Sequence, residues 1–216
     1  MEVVLPFKDR PNYLRITLAS YIEAIRGRND IHLTLYDDCS STIPAIVNEV
    51  PNATLMKRKK CLGQYQSKAA AIQDTFNHYA NISFVLCLDS DCIIHPGIFN
   101  AIANMIKDLP NMGIGTVFNT PTHPEISCVL EKYVTKEHIG GLGTVIKKDA
   151  WEWYVTQTRT NGAKHIGWDW DICLWLKTTE KWKIFSTIRS YVDHIGQSGS
   201  HSGPGCNIDR ARRFLE

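Results

Sequence analysis

"FVLCLDSDCIIHPG", residues 84–97, is an apolar run that ends in two aspartates one residue apart. Successive side chains of a strand point to opposite faces, so Asp89 and Asp91 can serve one site only where the strand ends and the chain turns. A run this continuously apolar fits a strand buried on both faces, as in a parallel sheet covered by helices. The residues upstream agree with that placement. "EVVLPF", "IHLTLYDD" and "ATLMK" are strand-like, while "NYLRITLASYIEAI" has helical spacing through Leu14, Leu18, Tyr21, Ile22 and Ile25. "IPAIVNEV" is predicted as a short helix, and "QSKAAAIQDTFNHYA" as a longer one rich in good helix formers. "PGIFNAIANMIKDL" follows the aspartates as a further helix, with Pro96 placed to open it.

This alternation predicts an α/β fold: a mixed, mostly parallel sheet with right-handed crossovers, flanked by helices, in a single domain. Ligands of such sheets bind beyond the carboxyl ends of the strands. Three predicted strands end in polar groups there: Phe7-Lys8-Asp9, Asp37-Asp38 and Asp89-Ser90-Asp91. The second half is less regular. "GIGTVF", "GTVIK", "WKIFS" and "RSYVDH" are strand-like, and "KDAWEWYVTQ" and "WDWDICLWLKTTEK" are helix-like. All six tryptophans lie between Trp151 and Trp182.

The 216 residues are 44% hydrophobic and 21% charged, ordinary for a globular chain and enough to bury a core. A net charge of +2 gives no footprint for nucleic acid, and the basic "KRKK" run, Lys57 to Lys60, is expected to be a solvated loop. The seven scattered cysteines form no C-x-x-C pair, which points to reduced thiols and a cytoplasmic setting. No stretch has the roughly 18 apolar residues a membrane span needs, and "MEVVLPFKDRP" is not a targeting segment. The abrupt start and end suggest one domain of a longer chain.

Paired carboxylates at a strand end suit a divalent cation that prefers oxygen ligands and keeps positions open for phosphate oxygens. The simpler alternative, a helix cap for the segment opening near Pro96, accounts for one aspartate and not two.

"VVLPFKDRPNYLRITLASYI", "LYDDCSS", "FVLCLDSDCIIHPGIF", "GGLGTVIKKDAWE" and "GWDWDICLWL" resemble, in that order, successive blocks of family 2-like, nucleotide-sugar-dependent glycosyltransferases of the GT-A fold. The resemblance spans nearly the whole chain, and in size the chain also resembles the N-terminal domain of a chlorella-virus capsid-glycan glycosyltransferase. That setting implies host cytoplasm. The resemblance implies a nucleotide-binding half at residues 1–110 and an acceptor-binding half at 111–216. Pro6, Phe7 and Asp9 would line the nucleotide pocket, and Asp37 or Asp38 would accept from the base, commonly uracil. Lys68 would approach the nucleotide or diphosphate, a loose match because relatives often carry Arg or Asn there. Asp91 of the D-x-D pair would ligate Mn²⁺ or Mg²⁺, while Asp89, beside Ser90, would contact ribose or a metal-bound water. Gly141, in the Gly140–Gly143 turn, would let backbone approach the donor sugar.

In "GWDWD" Trp168 stands where relatives carry Glu. Asp169 would be the general base of an inverting transfer, which leaves the role of Asp171 open; about 200° separates the two on a helix. His194 would complete the metal site and favour Mn²⁺ over Mg²⁺, with His201 as its rival. Trp168 and Trp170 would offer stacking faces to a glycan acceptor, although Trp168, Ile172, Trp175 and Leu176 form a stripe at core spacing.

Three other classes share parts of this pattern. A haloacid dehalogenase-type phosphatase also carries D-x-D after an apolar strand, but here Ile93 stands where that family has Thr or Val. A nucleotidylyltransferase would need a glycine-rich basic loop after "VVLPF", which is missing. A non-catalytic sugar-nucleotide or glycan-binding domain is the remaining alternative, and the intact set of Asp89, Asp91, Asp169 and His194 argues against it.

Overall fold

The apolar runs of the first half become four parallel neighbours: β1 (Glu2–Phe7), β2 (His32–Asp37), β3 (Ala53–Lys57) and β4 (Phe84–Cys87). In the computed structural model, which describes residues 1–196 together with 211 and 214, these form one side of a nine-stranded sheet. Helix α1 (Pro11–Ala24), a 3-10 turn (Ala45–Glu49) and α2 (Gln64–His78) connect them. Because the four strands are parallel, their carboxyl ends share one edge. Asp9, Asp38, Asp89 and Asp91 follow those ends, as the strand pattern predicts.

The expected strand through residue 91 stops at Cys87. The D-x-D pair occupies a turn, and the chain resumes as β5 (Cys92–Ile94), which leaves the main sheet and pairs antiparallel with β11 (Val192–His194). Between them run α3 (Ile98–Asp108), β6 (Met112–Thr116), β7 (Glu125–Val129), β8 (Tyr133–Lys136), β9 (Thr144–Lys147), α4 (Lys148–Asn161), α5 (Trp168–Leu176) and β10 (Lys183–Thr187). The sheet order is β3-β2-β1-β4-β9-β6-β10-β8-β7. Strand β9 lies antiparallel between β4 and β6, β10 is parallel to β6, and the β7–β8 hairpin closes the far edge.

Strands buried on both faces need a helical layer on each, and alternate residues serve the two. Val3 and Leu5 of β1 pack with Leu14, Leu18 and Tyr21 of α1 and with Phe99 and Ile102 of α3. Val4 packs on the opposite face with Ile72 and Phe76 of α2, Trp151 of α4, and Trp168 and Ile172 of α5. Full burial of one such aliphatic or aromatic side chain stabilises the fold by about 1.5–3 kcal/mol. The tryptophan-rich half therefore builds one wall of this core, and the helix carrying Asp169 is anchored against the sheet.

Candidate active site

The turn after β4 is held from three sides. Leu88 N–H donates to Val4 O at 2.9 Å, so the segment entering the turn is still tied to β1. Thr17 of α1 is buried; its Oγ1 donates to Cys92 O at 2.8 Å and accepts from Cys92 N–H at 3.0 Å. Ile195 N–H donates to Asp91 O at 2.9 Å, and the β5–β11 register sets His194 opposite Cys92. That register brings a histidine 103 residues away to Asp91, with Nε2 3.2 Å from Oδ2.

Asp91 is 6% exposed, and Arg10 Nη1 sits 2.8 Å from the same Oδ2. Burial pushes the Asp91 carboxyl up, but its hydrogen bond to His194 and the charges of His194 and Arg10 outweigh burial and hold it below the usual range. Burial would lower His194, and the same bond to Asp91 instead raises it. Gly196 closes over this pair: a Cβ there would overlap Asp91 Oδ2 and lie 2.9 Å from Arg10 Nη2. Asp9 and Arg10 both adopt the left-handed region, with φ of 52° and 56°, which costs each about 1 kcal/mol.

Asp89 pairs with Lys68, which α2 projects from its first turns. Burial would depress the Lys68 ammonium, yet the Asp89 charge and hydrogen bond raise its pKa above the ordinary value. Lys68 also faces Asp169 on α5. A Cβ on Gly141 would meet Lys68 Nζ at 3.3 Å, Trp168 Cζ2 at 3.3 Å and Asp169 Oδ2 at 3.5 Å. The four residues Lys68, Gly141, Trp168 and Asp169 thus surround one small space. Asp169 Oδ1 accepts from Trp170 N–H at 3.0 Å. Burial raises the Asp169 pKa, opposed by Lys68 and by that backbone bond. A carboxyl held above its ordinary range beside a cation can take up a proton more readily than an exposed aspartate.

The other predicted positions divide into loop-holding and core residues. Asp9 Oδ1 accepts from Ser41 N–H and Oγ, both at 2.8 Å, and Asp37 Oδ1 accepts from Ser40 N–H at 2.7 Å. Asp38 is 2% exposed and receives Leu62 N–H at 2.8 Å and Gly63 N–H at 2.9 Å, tying the loop after β2 to the start of α2. Pro6 is buried within β1, and Phe7 is 3% exposed with its ring in the core. Ser90 lies half-buried in the D-x-D turn.

Trp168 is buried as well. It is 4% exposed and packs edge-on to Trp151, so its faces are core and only its edge reaches the site. Trp170 is 38% exposed, with the His138 ring stacked at 4.0 Å and the His165 ring at 5.4 Å. Asp171 points away from Asp169, as the helical spacing requires, and its role is structural. It is 1% exposed and accepts from Tyr154 Oη at 3.0 Å, Lys164 N–H at 2.6 Å and His165 N–H at 2.9 Å.

Sequence reasoning missed Arg10, Thr17 and Gly196. The contacts that bring them to the site, Arg10 and Gly196 with Asp91 and Thr17 with Cys92, span at least 75 positions and follow from packing. For a divalent cation the fitting donors are Asp91 and His194, one carboxylate and one imidazole with their donor atoms 3.2 Å apart. Among the described residues no set of three or more His, Cys, Asp or Glu side chains is arranged around one ion. Two protein ligands would leave most positions to phosphate oxygens and water, a donor set that suits Mn²⁺. His201 lies outside the described residues.

Residues 2–126 match the sequence profile of glycosyl transferase family 2, well over half of the chain. The chain belongs to glycosyl transferase family 2. The match runs from β1 into β7, and so includes the D-x-D turn and Lys68 but not Asp169 or His194. A search of curated proteins gives no match. Among solved structures, S. aureus TarS 1–349 in complex with UDP-GlcNAc has a TM-score of 0.62 at 14% identity, over 96% of this chain and 61% of that one. A mannosyltransferase, PcManGT from Pyrobaculum calidifontis in complex with GDP-Man and Mn²⁺, has a TM-score of 0.56 at 13% identity, over 85% and 53%. This family 2 chain thus spans about three-fifths of the TarS fragment's length, and the likeness to both is one of fold. Among the described residues no helix is long and apolar enough to cross a membrane.

Proposed function

We propose that this family 2 chain transfers a sugar from a nucleotide diphosphate donor, UDP being the nucleotide, to a hydroxyl of a glycan acceptor with inversion at the anomeric carbon. The observation that carries the proposal is the convergence of Lys68–Asp89, Asp91–His194 and Asp169 at the carboxyl edge of one sheet. In this reading residues 1–110 hold the nucleotide and residues 111–216 receive the acceptor. The Asp9–Ser41 and Asp38–Gly63 contacts support it by shaping the loops where the base would lie, with Asp37 or Asp38 accepting from uracil. The fold neighbours bound to UDP-GlcNAc and GDP-Man support the donor class.

Asp169 takes the proton of the acceptor hydroxyl. The acceptor oxygen then bonds to the anomeric carbon as the bond from that carbon to the diphosphate oxygen breaks, and the electron pair leaves on the diphosphate. The transition state carries oxocarbenium character. Lys68 holds Asp89 toward the ribose and contributes positive charge near the leaving group, and Gly141 leaves room for the sugar. Asp91 and His194 would hold the divalent ion, Mn²⁺ or Mg²⁺, which supplies Lewis-acid neutralisation of the departing diphosphate. Trp170, with its stacked histidines, offers the acceptor an amphipathic edge. The resemblance to the chlorella-virus domain makes a capsid glycan the first acceptor to assay.

The test is incubation with UDP-sugars and Mn²⁺, with and without EDTA, following UDP release. Metal-dependent release is expected. Hydrolysis of a phosphomonoester without UDP release would refute a transferase, and binding without turnover would point to a sugar-nucleotide binding domain.

A further inference from the structure

Arg10 is the least explained residue of this site. Its backbone is left-handed, at φ 56° and ψ 49°, directly after Asp9 at φ 52°. Glycine or asparagine would take that conformation with less strain, so the reason for an arginine must lie in its side chain. The position opens α1, where Arg10 O accepts from Tyr13 and Leu14 N–H, but any residue's carbonyl could do that.

The side chain is held in place and only partly satisfied. Its guanidinium lies 4.6 Å from the centre of the Tyr13 ring, and Nη1 is 2.8 Å from Asp91 Oδ2. Nε and Nη2 are buried and have no hydrogen-bond partner among the described residues. A guanidinium is planar and always charged, and its paired N–H groups match two oxygens of a carboxylate or phosphate. Buried donors of this kind, beside a D-x-D turn, are suited to an oxyanion that arrives with the substrate.

The oxygen that Arg10 holds is also the one facing His194 Nε2, at 3.2 Å. A divalent ion bound between Asp91 and His194 would need that oxygen, and it would repel a guanidinium lying against it. We propose that Arg10 and the divalent cation compete for Asp91 Oδ2, and that the displaced guanidinium binds the diphosphate of the nucleotide donor. Arg10 is then a donor-binding residue whose grip on Asp91 makes metal and donor bind together. Alone, the metal must displace Arg10 without recompense. With the donor present, the guanidinium exchanges one oxyanion for another. Glycine at 196 leaves the space this exchange needs, since a Cβ there would overlap Asp91 Oδ2 and crowd Nη2.

This inference rests on the metal-dependent transferase reading, and the experiment separates the two. The wild-type chain, Arg10→Asn and Arg10→Lys are titrated with Mn²⁺ alone, followed by electron paramagnetic resonance of the free ion. UDP and uridine are then titrated calorimetrically at saturating Mn²⁺. Asparagine tolerates positive φ, so relief of backbone strain offsets part of the ion pair lost with Asp91 and Arg10→Asn should still fold. It should bind Mn²⁺ alone about 3-fold more tightly, since a competing ion pair is gone. It should bind UDP about 10-fold or more weakly, for the loss of charged hydrogen bonds, with uridine affinity unchanged. Arg10→Lys, which keeps the charge and loses the fork, should fall between them and serves if the asparagine variant does not fold. Unchanged Mn²⁺ affinity or unchanged UDP affinity in a folded variant overturns the proposal. Failure of the wild-type chain to bind both Mn²⁺ and UDP overturns the transferase reading, and this inference with it.

Discussion

Replacing Asp169 with Asn removes a proton acceptor and almost nothing else. The amide keeps the size of the carboxyl, and its oxygen can still accept from Trp170 N–H, now at 3.0 Å. Lys68 keeps its pairing with Asp89. Loss of a general base costs roughly 10²–10⁴-fold, so transfer to a glycan acceptor should fall about 10³-fold, or about 4 kcal/mol in the barrier. Calorimetric UDP affinity should stay within about 3-fold, because uniform binding is untouched. The pH profile gives a second check. Burial raises the Asp169 pKa, so the acid limb of the wild-type rate should lie above the ordinary carboxylate range, and the residual rate of the variant should lack it. The stability sign follows from the same shift. With the folded pKa above the unfolded one, the native state binds more protons between the two values, so this group's contribution to stability falls as pH rises through that window. A neutral amide escapes that loss, and Asp169→Asn should melt no lower than wild type at pH 7. Transfer at an unchanged rate, or a rate lost together with UDP binding and fold, would refute the assignment.

Two further substitutions separate site from scaffold. Gly141→Ala puts a methyl group 3.3 Å from Lys68 Nζ, 3.3 Å from Trp168 Cζ2 and 3.5 Å from Asp169 Oδ2, so it should fold after shifts of a few tenths of an ångström yet lose UDP-sugar turnover while retaining UDP affinity; full turnover would show that the donor sugar does not enter this space. Asp171→Ala removes three buried acceptor contacts, to Tyr154, Lys164 and His165, and should cost about 3 kcal/mol, lowering the thermal midpoint by about 6–12 °C; a fall of under about 2 °C would refute its structural role.

The parallel half of the sheet was legible because its information is local. Each strand is a short apolar run, each helix has its own spacing, and parallel pairing sends Asp9, Asp38 and Asp89 to one edge without further data. The β7–β8 hairpin was not legible. Its turn residues Leu130 and Glu131 take φ of 53° and 55°, a conformation usually signalled by Asn or Gly, so the sequence carries no turn mark. Strand β7 is also largely exposed, so the alternation of Glu125-Ile126-Ser127-Cys128 marks no buried face. The same limit applies inside the site. Asp89, Asp91 and Asp169 stand in motifs, but their charged neighbours Lys68, Arg10 and His194 reach them over long stretches of sequence and follow from packing. Burial likewise separated Trp168 from Trp170, two tryptophans of one motif, placing the first in the core and leaving the second 38% exposed.

The central claim is that Asp91 and His194 hold a divalent ion on which the donor's diphosphate depends, and UDP binding tests it most directly. Titrated calorimetrically into the wild-type chain, UDP should bind with Mn²⁺ and lose most of its affinity with EDTA, and Asp91→Asn should bind weakly in both conditions. UDP affinity that is equal with Mn²⁺ and with EDTA, or unaffected by Asp91→Asn, would contradict it.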